Sequence, residues 1–208
     1  LNGHTLTALE NSRAFFIQNG ALTIEDNIGG GVIQGSGTVN GYGGAICMSS
    51  GDSTNALTLT GGTIRGFNAG DGAGVYMGNG TFNMTGGAIQ SCSATDGGGV
   101  YVDGGTFEMT DGTISACNAT NAGGGVYVSS GTIEMSGGSI ENCTAHEGAG
   151  VKVLVSNGKT ASFSMSGSGE IKNCNTDGVS IAAIGSGTPE FTMTGGTIED
   201  NSGFGVWM

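Results

Sequence analysis

The sequence predicts an all-β chain wound as a right-handed parallel β-helix, a solenoid of roughly seven turns of about 25 residues. Three observations carry that prediction. One motif recurs, as "AGVYMGNGTFNMTGGAIQSC" from Ala73, "GGVYVDGGTFEMTDGTISAC" from Gly98 and "GGVYVSSGTIEMSGGSIENC" from Gly124. Its valines, Val75, Val100, Val126 and Val151, are 25, 26 and 25 residues apart. Within each copy, apolar residues alternate with polar ones in runs of three to five, which is the period of a strand. The third observation is glycine, 45 of 208 residues against a single proline. So many glycines leave no room for a stable helix, and without a strict G-X-Y triplet they do not make collagen.

The elements follow in order. "AFFIQNGALTI" (14–24) has the pattern of "GVYMGNGTFNM" (74–84) and opens the first recognisable turn. "NIGGGVIQGSGTVNG" (27–41) is an irregular early turn, and "GGAICM" (43–48) returns to register. In 75–92, Val75 and Met77 point one way and Tyr76 the other. Phe82 and Met84 point in, Asn83 points out, and Ile89 and Cys92 point in after the "TGG" corner. The next two copies repeat this. "SNGKTAS" (156–162) lengthens one turn, and "GVSIAAI" (178–184) and "GVWM" (205–208) fall in the same register.

A repeat this short cannot bury its own apolar face, so neighbouring turns must stack. A propeller blade would need a longer repeat with four antiparallel strands. Stacking predicts four inward columns, headed by Val75, Phe82, Met84 and Ile89, with a rise of about 4.8 Å per turn. Cys92, Cys117, Cys143 and Cys174 form a fifth column, in which Phe67 holds the equivalent position. A position that accepts phenylalanine is a packing site, and a straight ladder is not the tetrahedral cage that zinc takes. No metal ligands and no cofactor are assigned. Residues 1–208 are read as one domain, a slice of a longer protein, since "GVWM" begins a further turn and stops.

The net charge of −12, with only Arg13, Arg65, Lys152, Lys159 and Lys172 as basic residues, excludes a nucleic-acid binder, which needs a basic stripe. No apolar run is long enough to span a bilayer, so direct membrane insertion is not expected of this segment. Function is therefore sought on the outward columns. After each valine comes the column Phe16, Cys47, Tyr76, Tyr101, Tyr127, Lys152, Ser180 and Trp207. Its three tyrosines read as an exposed aromatic strip for a sugar or a protein, or as cross-strand packing. Glu108 and Glu134 are outward neighbours on adjacent turns. Tyr76, Tyr101, Tyr127, Lys152, Glu108 and Glu134 are the candidate ligand-binding residues. Asp71, Asp96, Glu147 and Asp177 line a corner as a possible calcium ladder or as ordinary Asp-Gly turn chemistry.

For catalysis, the best constellation is Tyr127, His146, Glu147 and Lys152. These are ordinary repeat positions with no long loop around them, and no catalytic residue is assigned.

"GGAI" (43–46), "GGGV" (97–100 and 123–126) and "IEDN" (198–201) resemble the GGA[ILV] and FxxN repeats of chlamydial polymorphic outer-membrane adhesins. Here isoleucine stands for the phenylalanine, and most turns carry cysteine in place of asparagine. "LNGHTL" and "GTFEMTDGTI" are similar to repeats of large surface proteins of gut bacteria. The resemblance implies an extracellular, bacterial cell-surface protein of adhesin-like function. Its implied partner is a host extracellular protein, including immunoglobulin, or a glycan. A structural stalk and a polysaccharide lyase or hydrolase are the alternatives.

Overall fold

The computed structural model describes residues 1–208 as 25 strands with no helix. They stack as a parallel β-solenoid of about eight turns of about 27 residues. The stack begins earlier than the first recognisable repeat, with Thr5–Thr7, and its N-terminal turns are longer than 25 residues. Phe15 pairs with Ile46, 31 residues on, and Ile46 with Val75. The irregular 27–41 stretch is itself a turn, whose Val32–Gln34 pairs with Thr5–Thr7 on one side and Thr63–Arg65 on the other.

One turn shows how the residues direct the chain. Val75–Met77 belongs to an eight-stranded sheet. Thr81–Gln90 belongs to a 13-stranded sheet, the long sheet, and bends where the register shifts around Thr85. Ser93–Asp96 belongs to a four-stranded sheet, the short sheet. Gly97–Gly99 then turns the chain onto Val100. Gly97 has φ +65°, and a Cβ on it would sit 2.9 Å from the Cβ of Tyr101. A Cβ on Gly99 would meet the Gly125 carbonyl at 2.6 Å and Ile114 Cγ2 at 2.7 Å. Two layers of the stack close to this distance only if the corner has no side chain.

The predicted inward columns are all in register. Val75, Val100, Val126, Val151, Val179 and Val206 pair in succession. Phe82, Phe107, Ile133, Phe163 and Phe191 do likewise, as do the methionines from Met84 to Met193. Phe82 and Phe107 stack ring on ring at 4.8 Å and 11°. These columns join in a single cluster of 46 buried residues running the length of the solenoid. At about 1.5–3 kcal/mol for each fully buried large side chain, this cluster is the main stabilising term.

The corner from the long sheet to the short one is built differently. A single left-handed residue makes it: Gly66, Ser91, Ala116, Asn142, Asn173 and Asp200, with φ between +51° and +69°. Most of these are not glycine. The following residue (Phe67, then the four cysteines) is driven into the core, where Phe67 and Cys92 to Cys174 are at most 1% exposed.

The short sheet exists in four turns only: Thr38–Tyr42, Asn68–Asp71, Ser93–Asp96 and Asn118–Ala122. The spacing from the cysteine position to the next valine explains why. It is eight residues from Phe67 to Val75, from Cys92 to Val100 and from Cys143 to Val151, where the chain makes only isolated bridges because the next turn offers no strand, and nine from Cys117 to Val126. It falls to five from Cys174 to Val179 and from Asn201 to Val206. Five residues cannot hold both a strand and a corner at about 3.3 Å per residue, so the chain cuts across.

Candidate functional site

Tyr76, Tyr101 and Tyr127 leave the core as predicted, but they are not an exposed strip. Tyr76 and Tyr127 are buried, and Tyr101 is half-buried. In-register parallel strands place like residues directly over one another, so the rings stack on each other. Tyr76 lies 5.4 Å from Tyr101, and Tyr101 4.8 Å from Tyr127. Tyr42, which the alignment of repeats does not place in this column, continues the stack at 4.7 Å from Tyr76. It fills the rung on which the column carries the small Cys47. The inner ring faces are therefore used up within the protein.

The edges of the rings are covered too. The corner glycines Gly72, Gly97 and Gly123 abut their Cβ atoms. On the other flank, Asp103 accepts from Tyr76 Oη at 3.2 Å, from Ser129 Oγ at 2.6 Å and from Lys159 Nζ at 2.9 Å. Lys159 comes from the 156–162 insertion, so the lengthened turn ties back to the flank of the tyrosine column. Burial, with smaller repulsion from Asp103, Asp71 and Asp96, pushes the Tyr101 hydroxyl up to about 12.

Lys152 ends the aromatic stack, and it is 1% exposed. Its Nζ donates to Glu147 Oε2 at 2.8 Å and Ser180 Oγ at 2.9 Å, and it lies 5.6 Å from the centre of the Trp207 ring. The ammonium hydrogen bond and charge hold Glu147 below its ordinary value. His146, the fourth member of the sequence constellation, is exposed and makes no side-chain hydrogen bond to the other three.

Glu108 and Glu134 lie elsewhere. They pair in register on the outer face of the long sheet, exposed to solvent, with Asn83 and Ser164 on the flanking rungs. The structure thus separates the six candidates into a buried column on one sheet and two surface carboxylates on another.

The corner carboxylates do not converge. Asp71 and Asp96 pair in register. Asp96 Oδ1 accepts from Asn121 Nδ2 at 2.9 Å and Ala122 N at 3.0 Å. Glu147 is taken by Lys152, and Asp177 accepts from Phe204 N at 2.8 Å. No three His, Cys, Asp or Glu side chains gather around one point. Burial raises both Asp71 and Asp96, and the charge of Asp96 adds to the rise at Asp71.

The cysteines are free thiols. They do the work of an asparagine at the inner corner. Asn201 Nδ2 donates to the Ile171 carbonyl at 3.2 Å, and Cys117 Sγ reaches the Ile89 carbonyl, one turn back, at 3.8 Å. The hydrogen bond between Cys92 and Cys117, then burial, holds Cys92 well above the ordinary thiol value, so it stays protonated and unreactive.

A polar groove of about 500 Å³ opens where the short sheet ends. It is walled by Asn118, Thr120, Thr144, His146, Asn175 and Thr176. Thr120 also borders a second hollow, of about 300 Å³, along the face of the same sheet. Residue types do not single these positions out. Their signal in the sequence is the fall in spacing at Cys174–Val179, which removes a strand and leaves the step. No family model, curated protein or solved structure matches the chain.

Proposed function

We propose that the chain is a recognition module of a bacterial cell-surface protein, binding an extracellular partner protein through the groove at the end of the short sheet. The observation that supports this best is the groove itself: a polar, solvent-open recess in an otherwise regular surface, made by the loss of one strand. Its lining is amide, hydroxyl and imidazole, which suits recognition and brings together no acid pair for hydrolysis. A glycan is the weaker ligand, because sugar recognition draws on aromatic faces and the inner tyrosine faces are spent on each other. Immunoglobulin is the first partner class to test.

The test is an array of host extracellular proteins, immunoglobulins and polysaccharides. The expected result is saturable capture of a protein, weakened at least about tenfold, or about 1.4 kcal/mol, in the double variant Thr120→Ala/His146→Ala. Capture unchanged in that variant, or capture of a polysaccharide alone, would sink this reading. The second reading, a stalk that supplies only reach, is favoured by how completely the tyrosine, lysine and carboxylate columns satisfy each other. A blank array supports it.

A further inference from the structure

The short sheet stops inside the stack, and it stops incompletely. Asn118–Ala122 has a parallel neighbour in Ser93–Asp96 on one side. On the other it has two isolated bridges, Asn118 to Thr144 and Ala122 to Glu147. The rung beyond has no strand, and side chains stand in for it. Asn175 Oδ1 accepts the Ala145 N–H at 2.9 Å, and Thr176 Oγ1 accepts the Ala149 N–H at 3.1 Å. Between these two, the carbonyls of Ala145 and His146 and the N–H of Gly148 have no hydrogen-bond partner within the chain. Backbone groups in a strand edge that lack partners are a template for another strand.

We propose that this edge takes an extended, basic peptide segment of the partner protein, which adds a strand to the short sheet. The proposal rests on the recognition reading above and specifies its chemistry. An extended peptide carries N–H donors for the two carbonyls and a C=O for Gly148, at the spacing of a sheet; a sugar offers hydroxyls in no such register. Side chains that alternate to either side of the added strand meet the groove wall on one face and water on the other. Charge selects the sign. Asp177 flanks the edge, while the Glu147 carboxylate beside it is already paired with Lys152. None of the five basic residues lines the groove, and the chain carries a net −12. The partner strand therefore presents lysine or arginine.

The probe is a fluorescent, end-blocked octapeptide alternating lysine with threonine. Its control is the same peptide N-methylated at alternate residues, which keeps the charge and removes the donors. The whole chain is expected to bind the first saturably and the second at least about tenfold more weakly. Binding should also slow hydrogen exchange at Gly148. Inserting three residues between Thr176 and Asp177 restores the eight-residue spacing, fills the missing rung and should abolish binding. Should that variant fail to fold, the N-methyl comparison decides alone. Equal affinity for the two peptides, or no saturable binding, would overturn the proposal. A protein captured on the array whose capture resists saturating octapeptide leaves the recognition reading standing and removes the edge site. An array that captures no protein, with N-methyl-sensitive peptide binding intact, removes the reading and retains the edge.

Discussion

Ala116 is held at φ +51° with its methyl group exposed, at a corner where other turns use glycine, serine, asparagine or aspartate. The left-handed conformation costs an ordinary L-residue about 1–2 kcal/mol, and asparagine less. Ala116→Asn is therefore expected to stabilise the protein by about 1 kcal/mol in urea unfolding; a loss of stability would mean that the corner is not made by this residue. Lys152 gives a second test. Its ammonium is buried while the carboxylate that neutralises it is exposed, so removing each partner has an unequal cost. Glu147→Gln strands a buried charge on one serine and should cost about 2 kcal/mol. Lys152→Met fills the same space without charge and should cost less than that. The sign with pH follows from the lowered Glu147 value. The pair's stabilisation is present above the ordinary carboxyl value of 4.5 and lost as pH falls through the lower folded one. Chemical denaturation of both variants across pH checks the order.

At the scale of the element, the columns are the unit of both stability and strain. Parallel in-register pairing puts identical side chains a strand spacing apart, which rewards rings and penalises like charges. The tyrosines and phenylalanines take the benefit. Asp71 over Asp96 takes the cost, since both are half-buried and both have raised values. A raised folded value means that the group favours folding while protonated and opposes it once ionised. Asp71→Asn is thus expected to raise the melting temperature at pH 7, with the gain disappearing as pH falls below the ordinary 3.8. A gain that persists at low pH would place its origin in packing and not in charge. The short sheet shows the other limit of element logic. A strand appears where eight or nine residues separate the cysteine position from the next valine in successive turns; the Cys143 turn, also eight residues but followed by a five-residue one, keeps only two isolated bridges.

Across the whole molecule, each turn packs on the turns above and below, with Lys159 reaching Asp103 two turns back as an exception, so stability is close to a sum of similar layers. Removing residues 100–125, one full repeat, joins Gly99 to Val126 with every column still in register. The shortened chain is expected to fold and to unfold cooperatively by calorimetry, with lower enthalpy. Failure to fold would show that the layers are not equivalent. The winding, the inward columns and the burial of the cysteines were legible in the chain because alternation and repeat length are local properties. A strand that alternates must bury one face, and a repeat too short to bury it must stack. The fate of the outward faces was not legible in that way. Tyr76, Tyr101 and Tyr127 point away from the core in any reading. Whether they meet water depends on the corner glycine four residues before each, and on Tyr42 and Asp103 from other turns. Lys152 looked like a surface cation and is enclosed by Glu147, Ser180 and Trp207. The groove arises from a strand that is absent, which no residue type announces. Period and polarity determine what a side chain turns its back on; only the packed neighbours of other turns decide what it faces.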